Sequence, residues 1–245
     1  MVHKMKNNFI VMGAHGGIGE ELTLRLKGAG HYIVATMRDP SKASQSLQSE
    51  NIDIRAADVT DFHSIEAAFL DFTNGKPLSG FAYCIGSIEI LSLRGAKEEQ
   101  YLRAYDVNVM GVIRALKILE GALKAGNGSV VLFSSIAVQQ GFPNHTIISS
   151  AKGAVEGFAR ALAAEWAGHV RVNCIAPSLT DTAIAEPLTS MAPMRQAIEK
   201  MHPIARLGTP QDSAALADFL LCPQSSWITG QIMHVDGGRS TLRPK

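Results

Sequence analysis

The sequence predicts one α/β domain: a doubly wound parallel sheet with helices on both faces. Three observations carry this. Short apolar runs alternate with helical patterns along the chain, a glycine-rich turn follows the first run, and no linker or repeat divides the 245 residues. Strand–helix–strand units need right-handed crossovers, which put helices on both faces of the sheet. The length suits a single domain.

Each element has its own signal. Residues 9–12 are an apolar run closed by glycines, and 20–27 have helical character. Residues 31–36 read as a second strand, and the polar 41–50 as a helix. Ile52, Ile54 and Ala56 alternate as in a strand, and Asp61 stands as the cap of a helix over 61–72. Residues 78–85 are a fourth strand candidate. The long segment 97–123 carries Leu102, Val109, Val112, Leu116 and Leu119 at roughly helical spacing. Strands are expected over 129–133, 170–176 and 231–235, with helices over 151–167 and 211–221.

Composition narrows the function. Hydrophobic residues make up 46% and charged residues 18%, enough apolar material for a core and too little charge for a disordered chain. The 23 basic and 22 acidic residues nearly cancel, so no nucleic-acid partner is implied. Lys4 and Lys6 precede an apolar run too short for a signal peptide, and no stretch approaches a membrane span. A soluble, cytoplasmic protein without a membrane partner is expected. Cys84, Cys174 and Cys222 fit neither a disulfide framework nor a metal site and read as reduced thiols.

Gly13-Ala14-His15-Gly16-Gly17-Ile18-Gly19 is the most informative segment. Glycines admit backbone angles closed to other residues and let the chain approach a bulky anion. The helix that opens there offers free N–H groups and a positive dipole end to a pyrophosphate. Following a strand and opening a helix, the turn points to a dinucleotide.

The spacing, Gly-x-x-x-Gly-x-Gly, resembles that of the short-chain dehydrogenase/reductase family, and other segments match it. They are Asp58-Val59 after the third strand, Asn108 in the long helix, Ser134-Ser135 at the end of the fifth strand, and Lys152 in the next helix. Residues 171–177, 228–230 and 235–238 complete a resemblance running from about Phe9 to Gly238. It implies a Rossmann-like single domain that binds a nicotinamide dinucleotide and acts on a small molecule. Gly13, His15, Gly17, Ile18, Gly19, Gly86, Pro177, Thr182 and Lys152 would meet the cofactor, and Asp58 and Val59 would hold its adenine.

The choice of dinucleotide rests on the residues just after the second strand. A carboxylate there bonds the ribose 2′-hydroxyl of NAD, and a guanidinium pairs with the 2′-phosphate of NADP. Met37 stands where the family's NAD users place an acid, Arg38 comes next, and Asp39-Pro40 reads as a helix cap. NADP(H) is therefore expected ahead of NAD(H).

In the family a tyrosine supplies or accepts the proton, a lysine four residues later lowers its pKa and binds the nicotinamide ribose, a serine polarises the carbonyl, and an asparagine supports a water linked to the lysine. A phenol, with a reference pKa of about 10, needs that electrostatic help. Ser135, Asn108 and Lys152 match, but the tyrosine position holds Ile148, and no tyrosine follows Tyr105. His145, in a loop expected to border the substrate, is a candidate replacement, as is a water held by Ser135 and Lys152. Tyr83 and Tyr105 read as packing residues, and Pro177-Ser178 replaces the usual Pro-Gly.

Residues 183–203, with Leu188, Met191, Met194, Ile198 and Met201, would be a mobile flap whose methionines favour an apolar substrate. Gly153, Ala154, Gly157, Ala161 and Ala164 permit close helix approach, and the resemblance implies a homodimer or homotetramer. Two functions stay open. One is an NADP(H)-dependent oxidoreductase acting on a carbonyl or alcohol through an atypical proton donor. The other is an inactive NADP(H)-binding sensor or subunit.

Overall fold

The structure, a computed structural model, describes residues 7–243; Lys4 and Lys6 lie outside the described residues. Seven parallel strands form one sheet in the order β3-β2-β1-β4-β5-β6-β7. They are β1 (Asn8–Met12), β2 (Tyr32–Met37), β3 (Ile52–Ala56), β4 (Gly80–Tyr83), β5 (Ser129–Phe133), β6 (Arg171–Pro177) and β7 (Ile232–Val235). β5 is buried at every position and β1 at four of five, as expected of parallel strands covered on both faces.

The core has two layers. On one face α1 (Gly17–Gly28) supplies Leu22 and Leu26 against strand residues such as Phe9 and Val11. On the other, α2 (Phe62–Ala68) and α3 (Leu70–Thr73) bring Ile65 and Phe72 against Phe81. Next come α4 (Glu98–Tyr105), a π-helical turn Asp106–Met110 and α5 (Gly111–Ala125), which run without a break. After β5 come α6 (Ala137–Gln140) and α7 (Thr146–Glu165). α7 shares the second layer with α5 through Val155 and Leu162. The flap holds α8 (Glu186–Thr189) and α9 (Ala192–Lys200), and α10 (Pro210–Leu221) returns to pack beside α1. Burying an aliphatic or aromatic side chain of this kind contributes about 1.5–3 kcal/mol.

Three local expectations are corrected. Residues 41–50 form no α-helix but two 3-10 turns, Pro40–Lys42 and Gln45–Leu47. Ser44 Oγ and Ser46 Oγ both donate to Glu20, at 2.5 and 2.6 Å, and such side-chain bonds compete with helix formation. The segment after Asp61 is two helices broken at Phe69, although Asp61 does cap the first by accepting from the His63 N–H. Leu102, expected on an apolar helix face, is 62% exposed.

Candidate active site

The glycine turn closes tightly. Gly13 has φ +90°, and its N–H and that of Ala14 both donate to Thr36 O, at 2.9 and 3.0 Å, tying the turn to β2. A Cβ on Gly19 would collide with the Gly13 carbonyl, and one on Gly17 would lie 3.0 Å from Thr182 Cγ2. No side chain caps the start of α1, so its amide end is open to an anion. Ile18 faces the main cavity, and His15 is exposed on the rim.

Met37, Arg38 and Asp39 stand at the end of β2, to which the glycine turn is tied. Met37 is buried in the core. Asp39 accepts from the Ser41 hydroxyl and N–H, at 2.6 and 3.1 Å, which holds its carboxyl below the usual range and makes it the cap of a 3-10 turn. Arg38 is exposed and makes no ion pair among the described residues. Asp58 accepts from Thr60 N and Oγ1, which holds its carboxyl low, and the charge of Arg38 adds to the effect. Arg38 and Asp58 therefore flank one corner. Val59 is buried beside it.

A cavity of about 650 Å³ opens where the C-terminal ends of β4, β5 and β6 meet the flap, the usual ligand crevice of a parallel sheet. Ser135, His145, Ile148 and Lys152 line it, as do Gly86, Pro177 and Thr182. Gly13, Gly17, Gly19, Arg38, Asp58 and Val59 lie outside its lining. None of the four tyrosines lines it. Tyr83 points into the helical layer, donating to Val107 O at 2.5 Å, and burial raises its pKa.

Lys152 lies buried in the cavity wall, with Nζ donating to Phe133 O at 2.8 Å. Burial lowers its pKa to about 8, against the opposing pull of the Cys174 and Cys84 thiols. The π turn brings in Asn108, whose Nδ2 donates to Ala104 O and Ser87 Oγ, at 2.8 and 3.1 Å. That leaves Asn108 Oδ1 buried without a partner. A Cβ on Gly86 would lie 3.1 Å from Asn108 Oδ1 and 3.2 Å from Lys152 Nζ, so both atoms address one small space that only glycine leaves open.

Ser135 Oγ accepts from the Ala137 N–H at 3.2 Å, leaving its own proton to donate into the cavity. His145 Nδ1 stands 2.7 Å from Pro143 O, which assigns the ring proton to Nδ1 and leaves Nε2 an acceptor. Ile148, one turn before Lys152 on α7, is 5% exposed and presents hydrocarbon. Ser149 donates to Ala137 O and takes no part.

Two features have no signal in the sequence that points to a site. Ser178 lines the cavity and stands 2.8 Å from His202 Nε2, while His202 Nδ1 meets Ile198 O at 2.8 Å. Nδ1 thus carries the proton, and the Ser178 hydroxyl donates to Nε2. The Pro-Ser departure is visible, but nothing in the pattern connects residues 24 apart. Arg239, also in the lining, stands just past the 235–238 motif of the chain's tail. Of the flap residues, Ile184, Ala185, Leu188, Ile198 and Met201 line the cavity, whereas Met191 and Met194 do not.

A family model described as enoyl-(acyl carrier protein) reductase matches residues 13–240. A 2-keto-3-deoxy-L-fuconate dehydrogenase from Xanthomonas campestris is 32% identical, the match covering 94% of this chain and 79% of that protein. A solved short-chain type dehydrogenase/reductase from Mycobacterium ulcerans superposes with a TM-score of 0.89 at 30% identity, over 97% of this chain and 90% of the other. The chain belongs to the short-chain dehydrogenase/reductase family. Another relative in structure, ElxO with NADP bound, gives a TM-score of 0.87 at 25% identity, over 97% of this chain and all of that one.

Proposed function

We propose that the chain is an NADP(H)-dependent oxidoreductase moving hydride between nicotinamide and a carbonyl or alcohol, with its proton supplied from the Lys152 side of the site. Lys152 carries this reading: a buried ammonium with a lowered pKa, sharing one small space with the unpartnered Asn108 Oδ1. That pair suits a water handing protons to a substrate oxygen that Ser135 orients. The His145 tautomer, with Nε2 as acceptor, suits a base in alcohol oxidation better than a donor in reduction.

The residues fit the cofactor. The open amide end of α1 and the collision that keeps Gly19 a glycine make a cradle for a pyrophosphate. Asp58 and Val59 would flank the adenine, Lys152 the nicotinamide ribose, and Pro177 and Thr182 the nicotinamide end. Bound there, the nicotinamide supplies or accepts the hydride. Arg38 is free for a 2′-phosphate while Asp39 is committed to Ser41, which favours NADP(H), the dinucleotide named in the ElxO structure.

The α7 face bearing Gly157, Ala161 and Ala164 is exposed, and with the exposed Leu102 and Tyr105 it suits pairing with a second copy. The thiols of Cys84 and Cys174 suit the reducing cytoplasm, and no helix among the described residues is long and apolar enough to cross a membrane.

Ile148 favours one rival, a binder without turnover. NADPH titration followed by a panel of ketones and aldehydes separates the two. Saturable binding with turnover above the uncatalysed rate is expected; saturable binding with none supports the rival.

A further inference from the structure

Among the described residues, the cavity is lined by two cations and no carboxylate. Lys152 stands at the inner wall, and Arg239 lies beside Phe142 and Met201, away from the glycine turn. The Arg239 guanidinium lies 4.7 Å from the Phe142 ring centroid and donates to Met201 Sδ at 3.4 Å, a weak acceptor. It makes no ion pair among the described residues, and burial lowers its pKa. The carboxylate whose charge reaches it, Asp236, is engaged elsewhere, accepting from Gly238 N, Ser240 N and Ser240 Oγ.

Its position is also built. The turn after β7 is closed by those Asp236 bonds and by Arg239 N donating to Asp236 O at 3.1 Å. Gln140 Nε2 donates to Ser240 O at 2.9 Å, bracing the turn against α6. A fixed backbone thus carries a long cation into a largely hydrocarbon space, where a charge without a counter-ion is costly. A guanidinium's planar fork matches a carboxylate, and the aromatic face behind it fixes its plane.

We propose that Arg239 anchors a carboxylate of the substrate, so that the reacting carbonyl or alcohol belongs to an oxo or hydroxy acid with an apolar body. Ser135 and Lys152 take the oxygen end, Arg239 takes the acid, and Ile148, Leu188 and Ile198 enclose the hydrocarbon between them. The substrate class rests on the oxidoreductase reading; the anion site itself does not.

The test is equilibrium binding, with and without the non-reacting NADP+, of straight and branched 2-, 3- and 4-oxo acids of four to eight carbons, with turnover read separately in NADPH. Each acid is paired with its methyl ester. Wild-type protein is expected to bind the best acid roughly 10- to 100-fold tighter than its ester. Arg239→Met should remove that difference and leave ester and NADPH binding unchanged, and Arg239→Lys should keep part of it. Equal binding of acids and esters by wild-type protein, or no acid binding across the series, overturns the proposal without requiring any variant to fold. An acid preference that survives Arg239→Met overturns it too. Arg239-dependent acid binding without turnover upholds the anion site and sinks the oxidoreductase reading. Turnover of neutral ketones with no acid preference does the reverse.

Discussion

Ile148 sets hydrocarbon into the cavity wall one turn before Lys152. On the proposed reading, an aliphatic side chain there leaves the proton to the amine, which shares one small space with the unpartnered Asn108 oxygen. General acid–base catalysis contributes typically 10²–10⁴-fold. Ile148→Tyr is therefore expected to raise carbonyl reduction by about 100-fold or more in steady-state assays, and an unchanged rate would show that more than the phenol is missing. His145→Ala should leave reduction within about threefold of wild type. Burial disfavours the charged form of Lys152, so its ammonium gives up a proton near pH 8 instead of well above it. Reduction consumes a proton. Its rate should fall as pH rises through about 8 and oxidation should rise, with the inflection absent in Lys152→Met.

At the scale of elements, β1 and β5 are legible in the sequence because parallel strands buried on both faces read as apolar runs, and β3, at the sheet edge, by the alternation of Ile52, Ile54 and Ala56. The glycine turn is legible because close backbone approach leaves no other residue possible at Gly13 and Gly19. Two things are not. The serines at Ser44 and Ser46 bond Glu20, some two dozen positions earlier, and no local pattern shows that. The π turn at Asp106–Met110 sits in a segment whose periodicity reads as plain α-helix, yet it carries Asn108 to Ala104 O and Ser87. The corner after β2 yields a prediction at this scale. Arg38→Ala should weaken NADPH binding by about 10- to 100-fold, the loss of hydrogen bonds to a charged group, while NADH binding changes little. Parallel losses for both cofactors would remove the 2′-phosphate role.

At the scale of the molecule, one long helix face remains uncovered by the chain's own packing. A Cβ on Gly157 would meet nothing within 4 Å among the described residues, and Ala161 and Ala164 are exposed. Small residues let a second α7 approach closely, and a two-fold axis sets each position against the same surface of the partner. A paired substitution of arginine at Gly157 and Ala161 should reduce the mass in light scattering to the 26.2 kDa monomer with the circular dichroism preserved. An oligomer of unchanged mass would assign the contact to another face.

The flap departs from the sheet and returns to it at one place. On the outgoing side, Asp181 N and Gly208 N bind Gly208 O and Leu179 O. On the incoming side, His202 holds Ser178 and Ile204 N binds Gly237 O. Past Thr182, which sits against Gly17, the segment between these clasps holds no strand and no part of the glycine turn, so it can vary as a cassette. A lineage with this framework can thus acquire a new substrate by rewriting some twenty residues while inheriting the cofactor half unchanged, which lets substrate choice diverge faster than the chemistry it serves.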